Sequence, residues 1–314
     1  MKKVNKFTLL ILVITLGWSN VITTFAQQEP LYTQYMFNTL SVNPAYAGTT
    51  NALNMLVLTR YQWVGLNGAP RTYTFAAHAP LDRGKMGLGF SVIQDQIGPT
   101  NSTYLSANYA YRVSLSEKVT LSMGLKAGFY NYVVGLSRLD LVTRNDKSFQ
   151  SDYSNKFNPN LGAGLYVYSN KWYAGLAVPT LIENAFDKTN KSANAISELK
   201  RHYFFIAGYV FNLDKDWAFK PSYVEKVVAG APLSTDFTAQ FIYKDKYWIG
   251  SSYRIGDAFA FLLNLKVTNQ IMFGYSYDVT LSGISGYSRG SHELLIIYDF
   301  DKFEPSKVKS PRYF

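Results

Sequence analysis

The distribution of hydrophobic residues is the feature that most constrains this chain. One stretch near the amino terminus, Phe7 to Gly17 (FTLLILVITLG), is continuously apolar. After it come repeated segments of about ten residues in which apolar and polar side chains alternate, which is typical of membrane-crossing β-strands. Beyond residue 26, no segment reaches the roughly 18 consecutive apolar residues of a membrane-spanning helix. The pattern therefore predicts an exported chain that folds into an outer-membrane β-barrel.

The first residues have the organisation of a secretory signal peptide. Lysines form a basic region before the apolar stretch, and the sequence TFA at 24–26 offers small residues at both recognition positions of a signal peptidase. The apolar stretch is short for a membrane anchor, which needs roughly 20 residues. We therefore predict that residues 1–26 are removed and that the mature chain begins at Gln27.

The alternation is clearest in three segments. Along Val119–Phe129 the odd positions are apolar and the even positions carry threonine, serine, glycine and lysine. Phe259–Val267 and Ile271–Val279 alternate in the same way. A soluble sheet with one wet face would also alternate. The apolar faces are uninterrupted over the thickness of a membrane, and the opposite faces carry small residues with an occasional charge, which favours lipid outside and an enclosed lumen inside.

Fourteen candidate strands can be counted, and an even number places both chain ends on the periplasmic side of a barrel. They lie at 52–62, 71–79, 85–94, 101–113, 119–132, 158–168, 172–179, 202–211, 217–226, 235–243, 247–255, 258–267, 271–280 and 291–300. Short polar turns alternate with longer connections, and the two longest, 133–157 and 180–201, both fall on the outer side. Pro179 and Pro221 make strands seven and nine the least regular, because proline cannot donate to a strand ladder.

The chain thus divides into predicted parts, with the fold an all-β transmembrane barrel of about 14 antiparallel strands. They are a signal peptide (1–26), an amino-terminal segment (27–50), the barrel (51–301) and a polar tail (302–314). The segment 27–50 is too polar for a lipid-facing strand and too aromatic for a free linker. We expect it to plug the lumen or to lie across the periplasmic mouth.

Several charged residues point into the lumen if the alternation holds. They are Arg60, Asp95, Lys126, Arg254, Lys266 and Asp278. They could grip an acidic or polar segment of a partner, but we favour a pairing network within a filled lumen, because buried charges are normally paired. Inward glycines agree with a filled lumen, since they leave room for close approach of another backbone. These are Gly87, Gly89, Gly162, Gly164 and Gly274.

No constellation for catalysis or for a cofactor is recognisable. The histidines His78, His202 and His292 lack ligand spacing, His292 and Glu293 point to opposite faces of a strand, and no serine lies in a GxSxG elbow. The absence of cysteine excludes a thiolate metal site, a cysteine nucleophile and a lipoprotein anchor. We predict a protein that is not an enzyme.

The longest outer connection carries several oxygen-bearing side chains. They are Asp140, Asn145, Asp146, Asp152 and Asn155. Such oxygens can bind Ca²⁺, but their spacing fits no known calcium loop, which favours a solvated loop. The formal charge of +10 is spread along the chain and not clustered, so nucleic acid is not an expected partner.

Two motifs are specific enough to indicate a family. The first, PLYTQYMFNTLSVNPAYAG at 30–48, contains Asn43, Pro44 and Gly48, and the second, RYQWVGLNGAPRT at 60–72, contains Arg60, Gln62 and Trp63. Together with the segments 87–98, 157–168 and 291–300, they resemble, in order, the PorP/SprF family of the type IX secretion system of Bacteroidetes. Taken alone, Asn43-Pro44 also suits a simple turn before the first strand, since Asn caps and Pro opens helical turns.

The resemblance implies an outer-membrane protein that helps to secrete large proteins such as adhesins or to retain them at the surface. It also implies contact with periplasmic components of that machine, besides outer-membrane lipid. We expect the outer loops 133–157 and 180–201 to hold the C-terminal region of the secreted protein. The alternative is a diffusion channel for small or hydrophobic solutes, which the number of strands fits equally well.

Overall fold

The computed structural model describes residues 29–50, 52–138, 152–183 and 199–300. The predicted signal peptide, the polar tail and the middle portions of the two longest outer loops lie outside these ranges. Within the described ranges, no helix has the length and hydropathy needed to span a membrane.

Fourteen antiparallel strands form one closed barrel, as predicted. They are β1 (Leu53–Tyr61), β2 (Arg71–Leu81), β3 (Met86–Ile97), β4 (Thr100–Ser114), β5 (Thr120–Val134), β6 (Tyr153–Tyr168), β7 (Trp172–Val178), β8 (His202–Tyr209, continued by Phe211–Asn212), β9 (Trp217–Val228), β10 (Ser234–Tyr243), β11 (Tyr247–Arg254), β12 (Ala258–Lys266), β13 (Ile271–Thr280) and β14 (Ser291–Phe300). Each strand pairs with its sequence neighbours, and β14 pairs with β1 from Leu53↔Phe300 to Tyr61↔His292. Closure gives every described strand a neighbouring strand on both sides.

The two faces of the barrel differ as the alternation predicts. Outward side chains such as Leu125 and Phe261 are 63% and 58% exposed in the isolated chain, which is what a lipid-facing surface requires. Inward positions on the same strands are buried, for example Ser122 and Asn264 at 0%. Because the side-chain period of a strand is two, each strand can meet lipid on one face and the interior on the other.

One end of the barrel carries only short turns and the other carries the longer connections. The turns between Leu81 and Met86 and between Tyr243 and Tyr247 belong to the first end, which we call the short-turn end. The connections from β5 to β6 and from β7 to β8 belong to the second, the long-loop end. By the usual orientation of outer-membrane barrels, the short-turn end faces the periplasm.

The largest difference from the predicted boundaries concerns β6. The prediction places 153–157 in the outer loop, whereas the strand begins at Tyr153 and pairs there with β5. The loop between β5 and β6 is correspondingly shorter than predicted. The alternating pattern is weak in these residues because lysine and asparagine interrupt it, so pairing with β5 decides their conformation and not local sequence.

The two prolines are accommodated in different ways. Pro179 lies immediately after β7, which ends at Val178. Pro221 lies inside β9, and the neighbouring β8 is interrupted at Val210, opposite this part of β9. The missing N–H donor of Pro221 therefore coincides with a gap in the ladder, which explains how proline fits in a barrel without a free edge.

The segment before β1 packs against the inward faces of the strands. It contains a single turn of helix, α1 (Thr39–Val42), and a 3₁₀ turn, Pro44–Tyr46. Its apolar side chains share one buried cluster with strand residues, including Tyr32, Tyr35, Leu40, Val42 and Tyr46 with Leu58, Tyr166, Phe204 and Leu295. This segment and the inward faces of the strands thus share apolar contacts inside the barrel.

Candidate functional site in the barrel interior

Residues 29–50 run through the interior from the long-loop end to the short-turn end. Near the start, the Thr180 hydroxyl, just after β7, donates to the Glu29 carboxylate at 2.7 Å. Near the end, the Gly48 N–H donates to His78 Nδ1 at 3.1 Å, close to where β2 reaches the short-turn end. The segment thus touches both ends of the barrel.

In the outer half, backbone N–H groups of the segment bind a buried carboxylate. Thr33 N–H donates to Glu293 Oε2 at 3.0 Å and Gln34 N–H donates to Glu293 Oε1 at 2.9 Å. The Thr33 hydroxyl donates to both carboxylate oxygens of Asp278, at 2.7 and 2.9 Å. Hydrogen bonds to an ionised acceptor are stronger than neutral ones, so these contacts fix the segment's position here.

Arg60 joins the segment to these two carboxylates. Its guanidinium lies 2.7 Å from Asp278 Oδ2 and 3.1 Å from Glu293 Oε2, and it also donates to the Thr33 hydroxyl at 2.9 Å. All three ionisable side chains are at most 2% exposed. The arrangement is a buried pairing network, in which removing one charge would leave another uncompensated.

A second arginine contributes a similar contact beside the first. Arg254 lies 2.9 Å from Asp236 and 3.4 Å from Asp257, and its guanidinium donates to the Tyr32 carbonyl at 2.7 Å. Two inward arginines thus each hold barrel carboxylates on one side and the segment on the other.

The remaining predicted lumen charges lie outside these two contacts. The Thr72 hydroxyl donates to Asp95, which is buried, at 2.6 Å. Lys126 lies on the inward face of β5 and interacts electrostatically with Glu29. Lys266 ends β12 at the short-turn end and is half-buried. All six charges are inward, but the structure does not bring them together as one site.

The motif Asn43–Gly48 is docked at the short-turn half by hydrogen bonds to the barrel backbone. The Asn43 side chain accepts from the Ala45 N–H at 3.0 Å, which caps the 3₁₀ turn that Pro44 opens, and it donates to the Leu165 carbonyl at 3.0 Å. Asn43 therefore serves both as the predicted turn cap and as a link to β6.

The barrel holds the rest of this motif with two further side chains. The Ser122 hydroxyl donates to the Ala45 carbonyl at 2.6 Å, and Arg112 donates to the Ala47 carbonyl at 3.1 Å. Gly48 has a φ of +67°, in the left-handed region that favours glycine. The backbone can therefore turn here toward β1.

Inward glycines form the surface on which the motif rests. A Cβ at Gly124 would lie 2.1 Å from the Ala45 nitrogen, and one at Gly87 would lie 2.1 Å from the Ala47 oxygen. Because these neighbours are backbone atoms, only glycine fits this approach. Gly87 is among the predicted inward glycines and Gly124 is not. Of the remaining predicted ones, Gly164 meets Asn43, Gly89 meets Leu40, Gly274 meets Asn264 and Gln34, and Gly162 meets the Pro179 carbonyl.

The second motif divides into two roles. Arg60 belongs to the buried network, whereas Gln62 and Trp63 leave β1 and fix the first outer loop. Gln62 N–H donates to the Pro70 carbonyl at 3.0 Å, and Trp63 N–H donates to the Ser291 hydroxyl at 3.1 Å. These contacts hold the start of that loop against β14.

Four further residues take part in holding the segment although they are not among the predicted lumen charges. Glu293 and Asp236 are inward carboxylates that the same alternation would have found. Arg112 is also an inward position of β4 in the same alternation, whereas Glu29 carries no such signal, because it precedes the strands and its partners Thr180 and His202 are distant in sequence.

The histidines and loop acids take separate positions. His78 binds the motif, His202 accepts from the Glu29 N–H at 3.2 Å, and His292 faces outward beside Tyr275. Asp152 accepts from Ser137 at 2.7 Å, and the backbone of Asn155 belongs to β6. Asp140, Asn145 and Asp146 lie outside the described residues. In the part of the chain that the structure describes, no group of three His, Asp or Glu side chains has the geometry to hold a metal ion.

Comparison with solved structures finds other outer-membrane barrels at low identity. The Acinetobacter baumannii outer membrane protein Omp33 is 10% identical, with a TM-score of 0.47 over 81% of this chain and 100% of that one. A Pseudomonas aeruginosa FadL homologue is 10% identical, with a TM-score of 0.43 over 79% of this chain and 89% of that one. The KdgM porin is 10% identical, with a TM-score of 0.39 over 79% and 99%. A search of curated proteins finds no match.

The family model described as type IX secretion system membrane protein PorP/SprF matches residues 24–298. The match covers both motifs, the interior segment and nearly all of the barrel. A barrel of this family, with an apolar outer surface, lies in the outer membrane. The chain therefore belongs to the PorP/SprF family of type IX secretion membrane proteins.

Proposed function

We propose that this protein retains large secreted surface proteins, such as adhesins, at the outer membrane, and that its lumen is closed to solutes. The observation that carries the proposal is the interior segment. Residues 29–50 are held by carboxylates in the outer half and by a glycine surface in the periplasmic half. A barrel filled in this way is suited to anchoring and not to diffusion.

The outer surface offers a place for a client. The two longest connections join β5 to β6 and β7 to β8, which are four consecutive strands, so the ends of both connections lie at one part of the rim. Their bases are in contact, because Leu199 packs in one buried cluster with Tyr130, Tyr132 and Val134. Function is disproportionately found on long loops carried by rigid scaffolds. We assign the C-terminal region of the secreted protein to this surface.

The periplasmic face offers a second surface. A cavity of about 980 Å³ opens at the short-turn end, lined by residues of three neighbouring turns that include Asp82, Lys85, Glu117 and Lys118. Exposed charges of both signs suit a polar protein partner. In this proposal, the short-turn end meets the periplasmic components of the secretion machine.

The experiment that tests the proposal replaces 139–151 and 184–198 by short Gly-Ser linkers in one chain. We expect the barrel to assemble, as judged by its heat-modifiable migration on gels, and surface display of the adhesin to be lost. A matched control shortens the loop 281–290, which joins β13 to β14 on the opposite side of the barrel from β5–β8. In this control, surface display of the adhesin should be retained. Unchanged display in the double replacement would reject the proposal.

A further inference from the structure

The direction of the interior segment places its amino end at the outer side of the membrane. Contacts move steadily along the barrel as the chain advances from Glu29. Glu29 meets Thr180 and His202 at the long-loop end, whereas Phe37 packs on Trp248, near the start of β11 at the short-turn end. The chain therefore enters β1 from the periplasmic side only after descending through the lumen.

Glu29 is fixed by more than one contact. Its N–H donates to His202 Nε2 at 3.2 Å, and its carboxylate accepts from the Thr180 hydroxyl at 2.7 Å. The His202 Nδ1 in turn lies 2.9 Å from the Lys200 carbonyl, to which it donates, and this leaves Nε2 as the acceptor. His202 is the first residue of β8, so these contacts lie at the outer rim.

The charged side chains around Glu29 favour the same position for its carboxylate. Lys126 and Lys226, on the inward faces of β5 and β9, both interact attractively with the Glu29 carboxylate. Asp236, Asp257 and Arg254 also act on Lys226. A carboxylate at this depth thus balances inward positive charge, which holds the amino end of the segment in the outer half.

The predicted cleavage after Ala26 leaves only Gln27 and Gln28 ahead of Glu29. Two extended residues reach at most about 7 Å. The apolar band of an outer-membrane barrel is about 25 Å tall. The terminal amino group therefore cannot return to the periplasmic side while Glu29 remains bound at the rim.

We infer that the mature amino terminus of this protein opens to the cell surface at the long-loop end of the barrel, where β7 ends and β8 begins. The amino end thereby becomes part of the outer interaction surface. The position of the terminus is independent of the proposed function; only its contact with a client rests on that function.

The absence of cysteine from the natural chain allows a direct test. Gln28→Cys is compared with Ser285→Cys in an exposed outer loop and Asn269→Cys in an exposed turn at the short-turn end. Intact cells are treated with a membrane-impermeant sulfonated maleimide, and the purified barrels are weighed by mass spectrometry. We expect modification at 28 and 285 in intact cells and at 269 only after the outer membrane is permeabilised.

Modification at 28 only after permeabilisation would overturn the inference, as would an intact mass showing that residues before Gln27 remain. If the thiol at 28 is shielded under both conditions, a second measurement decides. The pair Glu29→Cys and Thr180→Cys should form a disulfide on oxidation, whereas Glu29→Cys with Thr120→Cys, at the periplasmic end of β5, should not. A folded barrel that lacks the first disulfide would overturn the inference.

Discussion

The two halves of the interior segment are held by different physical interactions. The outer part, around Thr33, is bound by buried charges, namely Arg60, Asp278 and Glu293. The periplasmic part, Asn43–Gly48, is bound by shape and neutral hydrogen bonds, because strand glycines let its backbone approach to contact distance. The first kind of contact is strong but depends on every partner being present. The contact by shape and neutral hydrogen bonds is distributed over many atoms, so a single substitution weakens it less.

The largest effect is expected from Arg60→Ala, which leaves Asp278 and Glu293 buried without their cation. Removing one partner of a buried pair typically costs about 3–5 kcal/mol. We expect the free energy of unfolding, measured by urea denaturation in lipid vesicles, to fall by this amount. Chymotrypsin should also cleave at Tyr35, which is buried in the native barrel.

If Arg60→Ala unfolds at the same urea concentration as the natural protein, the outer half is not held by charge. Arg60→Lys sharpens the test, because a lysine retains the charge but cannot donate in a fork to two carboxylates. The free energy of unfolding of Arg60→Lys should lie between that of the natural protein and that of Arg60→Ala.

The next effect is expected from Gly124→Ala, because the added Cβ would lie 2.1 Å from the Ala45 backbone. Overpacking of this kind costs about 1–3 kcal/mol. Protease cleavage of the segment should increase while the barrel itself stays folded. The matched control is Gly283→Ala, where nothing lies within 4 Å of the added atom. Equal behaviour of the two variants would show that the motif does not rest on the strand glycines.

A smaller effect is expected from Asn43→Ala, which removes the cap on the Ala45 N–H and the bond to the Leu165 carbonyl. Loss of such a cap costs about 0.5–2 kcal/mol. Asn43→Asp keeps the acceptor and loses the donor, so its unfolding free energy should lie between those of the natural protein and the alanine variant. If the unfolding free energy of Asn43→Asp is as low as that of Asn43→Ala, the whole effect comes from the hydrogen bond to the Leu165 carbonyl of β6.

The smallest effect is expected at the exposed pair of Lys244 and Asp216, 3.9 Å apart at the short-turn end. Solvent screens such pairs, and many contribute nothing measurable. Lys244→Ala should therefore unfold at the same urea concentration as the natural protein, in contrast to Arg60→Ala. A loss comparable to that of Arg60→Ala would remove the distinction between buried and exposed charge.

The sequence predicts the strands and their faces because both follow from a local period of two. Lys126 is predicted to point inward on this basis, and in the structure it lies on the inward face of β5. It does not predict which charges meet, because Arg60 and Asp278 are 218 positions apart and no local pattern links them. The route of residues 29–50 is likewise not visible, since the segment has no periodicity and its direction depends on distant partners such as Thr180. The extension of β6 was missed because pairing with β5 outweighs its weak local pattern.

The most direct test of a lumen filled by residues 29–50 is the conductance of the purified barrel in a planar lipid bilayer. The natural protein should show no steady channel, and a variant lacking residues 29–48, with assembly checked by heat-modifiable migration, should show one. A natural protein that conducts as well as the deletion variant would contradict the account.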